Sequence, residues 1–108
     1  MRLKPVLSLA LGLLALPAHA EDSLTTVAYR CDRGALVQVT YINTANSSFA
    51  VVAFEARQIG FTIARSGSGA RYESADPAQP FVWWTKGDSA MLLFGAEDTP
   101  IYSDCAAG

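Results

Sequence analysis

The chain has 108 residues, with ten Asp or Glu and eight Lys or Arg, and its formal net charge at pH 7 is −2. A chain of this length forms one small domain. Its acidic balance argues against nucleic acid and anionic membrane surfaces as partners, because both attract basic proteins.

Residues 1–20 are predicted to be a cleaved signal peptide rather than part of the fold. Two basic residues open the chain, an apolar run covers residues 6–16, and Ala18-His19-Ala20 gives the small-x-small pattern of a cleavage site. Glu21 follows where a lipoprotein would have a cysteine. We therefore expect a soluble exported protein rather than a lipid-anchored one.

The mature chain would be a single domain of residues 21–108, with a net charge of 6 − 10 = −4 because two basic residues leave with the signal peptide. His19 is the only histidine, so the mature chain has none. This excludes Ser-His and Cys-His catalytic pairs and histidine metal ligands. We predict a protein that is not an enzyme, with no catalytic residue, no metal and no cofactor.

The mature sequence alternates apolar and polar residues with a period of two, which is typical of β-strands. Turn residues separate the alternating segments, and no long segment has helical periodicity. Eight short strands are predicted, near residues 26–31, 35–42, 48–54, 58–64, 70–74, 81–85, 89–94 and 99–104. This spacing indicates an all-β antiparallel sandwich or barrel, and a barrel is favoured because its closure removes exposed sheet edges.

The two cysteines, Cys31 and Cys105, lie near opposite ends of the mature chain. In the oxidising compartment that an export signal implies, we expect them to form a disulfide. Closing a loop of that length stabilises the folded state by roughly 4 kcal/mol. So small a domain benefits from such a cross-link.

The adjacent tryptophans Trp83 and Trp84 lie on one predicted strand. Neighbours on a strand point to opposite faces, so one ring is predicted to enter the core and the other to lie outside or under a loop. The sequence does not determine which of the two is outside.

Two short motifs in turn regions carry the candidate functional residues. The first, Ser68-Gly69-Ala70-Arg71-Tyr72, ends a glycine-rich turn. It is either a plain hairpin connection or a place where glycine lets the backbone approach a partner while Ser68 projects its hydroxyl. The second, Thr85-Lys86-Gly87-Asp88, contains the only lysine of the mature chain. That lysine is either a solvated turn residue or a compact charge that binds a partner.

These motifs, taken together and in this order, resemble the C-type lysozyme inhibitor family, MliC and PliC. The resemblance runs from Tyr29-x-Cys31-Asp32 through Ser68-Gly69-x-x-Tyr72 and Trp84-Thr85-Lys86-Gly87-Asp88 to Cys105. It implies an eight-stranded antiparallel barrel with a disulfide, and a protein that blocks a C-type lysozyme by inserting a loop into the active-site cleft. Without a lipoprotein cysteine, the chain resembles the soluble periplasmic branch of the family.

The resemblance also implies the site. Ser68 and Lys86 would contact lysozyme directly, and Tyr72 and Thr85 would support or add to these contacts. The implied lysozyme-binding residues are Ser68, Gly69, Tyr72, Thr85, Lys86 and Gly87.

The chain departs from the family pattern at two places. The segment 73–80 is longer than is usual between the motifs, and Phe81 stands where members often have tyrosine.

Two alternative functions remain open. The main alternative is a periplasmic β-barrel module that binds glycans or small ligands, with Trp83 or Trp84 stacking on a sugar ring. The other is a structural envelope protein. The sequence leaves homodimer formation open.

Overall fold

The computed structural model describes residues 21–108, and all eight predicted strands are present in them. The predicted signal peptide, residues 1–20, lies outside the described residues. The strands are β1 (Ser23–Arg30), β2 (Leu36–Asn43), β3 (Ser48–Phe54), β4 (Arg57–Ala64), β5 (Ala70–Ser74), β6 (Phe81–Lys86), β7 (Ser89–Phe94) and β8 (Thr99–Ala107), with a short 3-10 turn at Asp32–Gly34. The largest differences from the prediction are the earlier start of β1 and the later end of β8.

The strands form a closed antiparallel barrel in chain order, which confirms the predicted fold class. Each strand pairs with the next one, and β8 returns to β1 through the pairs Tyr29↔Ala107 and Arg30↔Ala106. That pairing explains why β8 runs on to Ala107, because closure of the barrel uses its last residues. Among the described residues, no helix is long and apolar enough to cross a membrane.

The interior of the barrel is filled by the residues that alternate inward along each strand. The core includes Val37, Val39, Ala50, Val52, Phe61, Trp83, Ala90 and Leu92, all at most 1% exposed. Trp83 packs edge-to-face against Tyr29, with 5.0 Å between ring centroids. Its indole N–H donates to the Tyr41 hydroxyl at 2.9 Å, so the one polar group of this large side chain is satisfied inside the barrel.

The predicted disulfide between Cys31 and Cys105 is present. Both residues are buried, and the bond ties the chain just after β1 to the end of β8. The Asp32 carboxylate accepts a hydrogen bond from the Ser103 backbone N–H at 2.9 Å beside it. The cross-link therefore reinforces the same β1–β8 seam that closes the barrel.

Strand register brings the two sequence motifs to the same end of the barrel. Ala70, which opens β5, pairs with Thr85 near the end of β6. Lys86 pairs with Ser89, so only residues 87–88 connect β6 to β7. The connection between β4 and β5, residues 65–69, therefore lies beside the β6–β7 turn.

Candidate functional site

The two-loop site consists of residues 65–69, between β4 and β5, and residues 85–88, at the β6–β7 turn. Gly69 brings the two loops into contact. Its φ is +66°, and an added Cβ would lie 2.1 Å from the Thr85 carbonyl oxygen and 2.9 Å from Lys86 Cγ. Only glycine fits so close an approach in this left-handed conformation. The observed close neighbour of this glycine is therefore Thr85 of the same chain.

Ser68 is held through its backbone and leaves its side chain free. Its carbonyl oxygen accepts hydrogen bonds from the Ser66 hydroxyl and from the indole N–H of Trp84, the latter at 3.0 Å. Its N–H donates to the Ser66 hydroxyl at 3.3 Å. Ser68 is exposed, and in the part of the chain that the structure describes its own hydroxyl makes no hydrogen bond. The loop thus presents an uncommitted hydroxyl on a fixed backbone.

Lys86 is exposed and its ammonium lies over the ring of Trp84, with 4.1 Å from Nζ to the ring centroid. No carboxylate within residues 21–108 comes within 4.0 Å of that ammonium to form an ion pair. A cation over an indole face is attracted but keeps its hydrogen-bond donors. Gly87 supplies the positive φ of +59° that the first position of a two-residue hairpin turn favours.

The adjacent tryptophans point to opposite faces, as predicted. Trp83 is 0% exposed in the core, and Trp84 is half-buried on the outer face of β6. The structure therefore resolves what the sequence left open, since Trp84 is the outer ring. Its ring also lies beside Arg71, whose Cζ is 5.2 Å from the ring centroid.

Arg71 was not singled out by the sequence analysis, although it belongs to the first motif. Its guanidinium donates two hydrogen bonds to Asp98, at 2.9 and 3.1 Å, and one to Glu73 at 3.0 Å. The hydrogen bonds from Arg71 lower the pKa of Asp98, and Asp98 raises the pKa of Arg71. Alternation with Tyr72 indicates that Arg71 faces outward, but its contact with Asp98 reaches across β6 to the β7–β8 turn and leaves no sequence signal.

The structure does not bring Tyr72 to the surface with Ser68 and Lys86. Tyr72 is 6% exposed and lies inside the barrel, 5.8 Å from Tyr41 between ring centroids. Burial, and secondarily the neighbouring Tyr29, raises the pKa of Tyr72. Tyr72 therefore lies in the core and not on the surface of the two-loop site.

Thr85 lies at the rim of the barrel and is half-buried. Its hydroxyl donates to the Ala70 carbonyl oxygen at 3.4 Å, which helps to hold β5 and β6 together where the loops begin. Thr85, Asp88 and Val27 contribute to the lining of an open groove of about 510 Å³. The predicted site residues other than Tyr72 therefore lie together at one end of the barrel.

The chemistry available at the two-loop site is hydrogen-bond donation and positive charge. Within residues 21–108, His, Cys, Asp and Glu side chains form no group of three that could hold a metal ion. In the same residues, the Ser68 hydroxyl has no hydrogen-bonded partner that could act as a general base, which a serine nucleophile needs. The arrangement suits binding of an acceptor or an anion.

Comparisons with known proteins identify relatives of this barrel. The family described as "MliC: Membrane-bound lysozyme-inhibitor of c-type lysozyme" matches residues 29–100. A protein named "Membrane-bound lysozyme inhibitor of C-type lysozyme" from Pseudomonas aeruginosa is 36% identical over 80 residues, which cover 73% of this chain and 60% of that protein. A protein of the same name from Cupriavidus necator is 33% identical over 84 residues, covering 75% of this chain and 64% of that one.

Solved structures agree with the family match. The crystal structure of PliC-St, the periplasmic lysozyme inhibitor of C-type lysozyme from Salmonella typhimurium, has a TM-score of 0.72 at 29% identity, covering 80% of this chain and 99% of that one. Pseudomonas aeruginosa MliC, in complex with hen egg white lysozyme, has a TM-score of 0.65 at 29% identity, covering 94% and 99%. The family match extends over more than half of the chain. The chain therefore belongs to the MliC family of lysozyme inhibitors of C-type lysozyme.

Proposed function

We propose that this protein inhibits a C-type lysozyme by inserting the two-loop site into the active-site cleft, competitively and without a covalent bond. The observation that carries the proposal is the close approach of Gly69 to Thr85 and Lys86, which joins both motifs into one projection. That projection carries the Ser68 hydroxyl and the Lys86 ammonium. The structure of a relative, MliC, in complex with hen egg white lysozyme supports the choice of partner.

The chemistry of the partner fits these donors. C-type lysozymes cleave glycans with two carboxyl groups, one acting as an acid and the other as nucleophile or stabiliser. The Lys86 ammonium would pair with a carboxylate, and the Ser68 hydroxyl would donate a hydrogen bond beside it. In a cleft shielded from water such charge-assisted bonds strengthen. The inserted loops present no glycosidic bond, so lysozyme has nothing to cleave.

The other site residues would act by shaping the projection. Gly69 and Gly87 permit the two tight turns, and Thr85 ties β5 to β6 through the Ala70 carbonyl. Tyr72 would support the loops from inside the barrel. Loops that are already fixed before docking lose little conformational entropy on binding, and this is the advantage of building the site on a closed, disulfide-linked barrel.

The proposal includes a soluble periplasmic location. The predicted signal peptide and the glutamate in place of a lipoprotein cysteine support it, as does the likeness to the periplasmic inhibitor PliC-St. The chain spans about 60% of the length of the curated relatives that are named membrane-bound. Osmotic-shock fractionation of a Gram-negative host expressing the full chain should release the mature protein, whereas recovery in the membrane fraction would contradict this location.

The experiment that tests the function is a titration of residues 21–108 into hen egg white lysozyme while the lysis of a bacterial cell-wall suspension is followed. Inhibition should reach completion near one inhibitor per lysozyme. Lys86→Ala should weaken it by roughly 2 kcal/mol, or about thirtyfold, as loss of a desolvated charge partner does. Arg30→Ala is the matched control, because Arg30 is exposed, lies at the end of β1 outside the two-loop site and loses the same charge. Equal loss in both variants would contradict a specific role for Lys86.

The glycan-binding alternative has weaker support. A sugar ring needs an accessible aromatic face, but Trp83 is fully buried and the ring of Trp84 lies against Arg71 and Lys86. A change in tryptophan fluorescence on adding glycan fragments, with no lysozyme present, would favour the alternative.

A further inference from the structure

One side chain, Trp84, contacts both halves of the two-loop site. Its indole N–H donates to the Ser68 carbonyl oxygen at 3.0 Å, so it holds the first loop. Its ring lies 4.1 Å from the Lys86 ammonium, so it also guides the lysine of the second loop. This ring therefore contacts both the backbone that carries the free hydroxyl and the free ammonium.

Trp84 is in turn held by Arg71. The two residues are direct cross-strand partners on β5 and β6, and the Arg71 guanidinium lies 5.2 Å from the indole centroid. Arg71 is long and flexible, but its side chain is only 18% exposed. A guanidinium stacked on an indole restrains that ring only if the guanidinium itself is fixed.

Asp98 is the residue that fixes it. Asp98 lies in the turn between β7 and β8, and its two oxygens accept from Arg71 at 2.9 and 3.1 Å. This fork-to-fork geometry defines the plane of the guanidinium. Glu73 accepts one further hydrogen bond from Arg71 at 3.0 Å. A single bond of this kind does not by itself define the plane of the guanidinium.

We propose that Asp98 is a positioning residue for inhibition, acting through Arg71 and Trp84 to hold Ser68 and Lys86 in fixed positions relative to each other before lysozyme binds. The proposal rests on the proposed function for its effect on inhibition, but its structural part can be tested without lysozyme. Asp98 itself does not belong to either loop of the two-loop site. It is a link between the β7–β8 turn and the binding loops.

The test compares Asp98→Asn with Glu97→Gln in residues 21–108. Both changes remove one negative charge from the same turn, but Glu97 is exposed and makes no ion pair in the described residues. Asparagine also tolerates the positive φ of +54° at position 98, so the backbone is not strained.

The measurement is hydrogen exchange by NMR at the indole N–H groups of the two tryptophans of the chain.

Trp83 serves as the internal control, because its indole N–H is bonded to Tyr41 inside the core. In Asp98→Asn the Trp84 indole should exchange about fivefold faster, the difference expected between a charged and a neutral hydrogen-bond partner. The Trp83 indole should be unchanged. Inhibition of hen egg white lysozyme should weaken by a similar factor, about fivefold, and Glu97→Gln should leave all three quantities within the error of measurement.

Other outcomes separate the competing explanations. Unchanged exchange at Trp84 in Asp98→Asn would overturn the proposal. Faster exchange at both tryptophans would also overturn it, because Asp98 would then stabilise the whole barrel rather than position the loops. Faster exchange at Trp84 with unchanged inhibition would refute the link to inhibition. If the wild-type protein failed to inhibit lysozyme at all, the proposed function would fall while the exchange data still decided whether Asp98 orders the loops.

Discussion

Replacing Gly69 by alanine tests whether the two loops depend on their close contact. The added Cβ would lie 2.1 Å from the Thr85 carbonyl oxygen, a backbone atom that moves only with its strand. An alanine in the left-handed conformation costs about 1–2 kcal/mol, and forcing an extra carbon into a filled space costs about 1–3 kcal/mol. We expect Gly69→Ala to lower the free energy of unfolding by about 2–5 kcal/mol, with a Tm lower by roughly 8–40 °C.

The same loop provides a matched control for this change. Gly67 has nothing within 4 Å of an added Cβ and no positive φ, so Gly67→Ala should change stability by less than about 1 kcal/mol. Urea denaturation of both variants, monitored by circular dichroism, measures the difference. Gly69→Ala should also weaken lysozyme inhibition more than Gly67→Ala does. Equal stability of the two variants would refute the inference that the loops touch at Gly69.

Three further predictions concern the cross-link, the buried phenols and the binding hydroxyl. Replacing both Cys31 and Cys105 by serine should lower stability by about 4 kcal/mol, since the bond closes a loop over a sequence separation of 74; an unchanged urea midpoint would contradict this. Burial, and then the hydrogen bond shared with Tyr29, raises the pKa of Tyr41 above its usual 10.0, so its ultraviolet tyrosinate signal should appear only above that pH. Because the folded state holds that proton more tightly, stability should fall as pH rises above 10.0, and a pH-independent urea midpoint there would contradict the assignment. Ser68→Ala should weaken inhibition by about 1 kcal/mol, less than Lys86→Ala, because a neutral donor is lost rather than a charge.

The barrel was largely predictable because alternation along each strand is a local signal. All eight strands were found near their predicted positions, since most of them bury one face and expose the other. The sequence favoured a closed barrel but did not show how it closes. No local pattern indicates that β8 pairs with β1 at Tyr29 and Ala107.

The choice between Trp83 and Trp84 illustrates where alternation fails. Phe81, Val82 and Trp83 are all buried, so the start of β6 does not alternate. Val82 lines a cavity of about 290 Å³ together with Pro77 and Pro80 of the longer 73–80 segment. That segment covers the outer face of β6, and its path depends on tertiary contacts that the sequence pattern does not reveal.

The candidate site was predictable in part. The resemblance picked out the two motifs, and register brings them together. It counted Tyr72 among the lysozyme-binding residues, whereas Tyr72 faces the core and Ser68 faces solvent. The Arg71–Asp98 pair spans 27 positions in sequence, and such a pair becomes visible only when β5, β6 and β7 lie side by side in the sheet.

The most direct test of loop insertion into the cleft is calorimetric titration of residues 21–108 into hen egg white lysozyme, with and without a chito-oligosaccharide that fills the active-site cleft. We expect one inhibitor bound per lysozyme and an apparent affinity that falls as the oligosaccharide concentration rises, because both ligands need the same cleft. Absence of binding, or binding that the oligosaccharide leaves unchanged, would contradict insertion of the two-loop site.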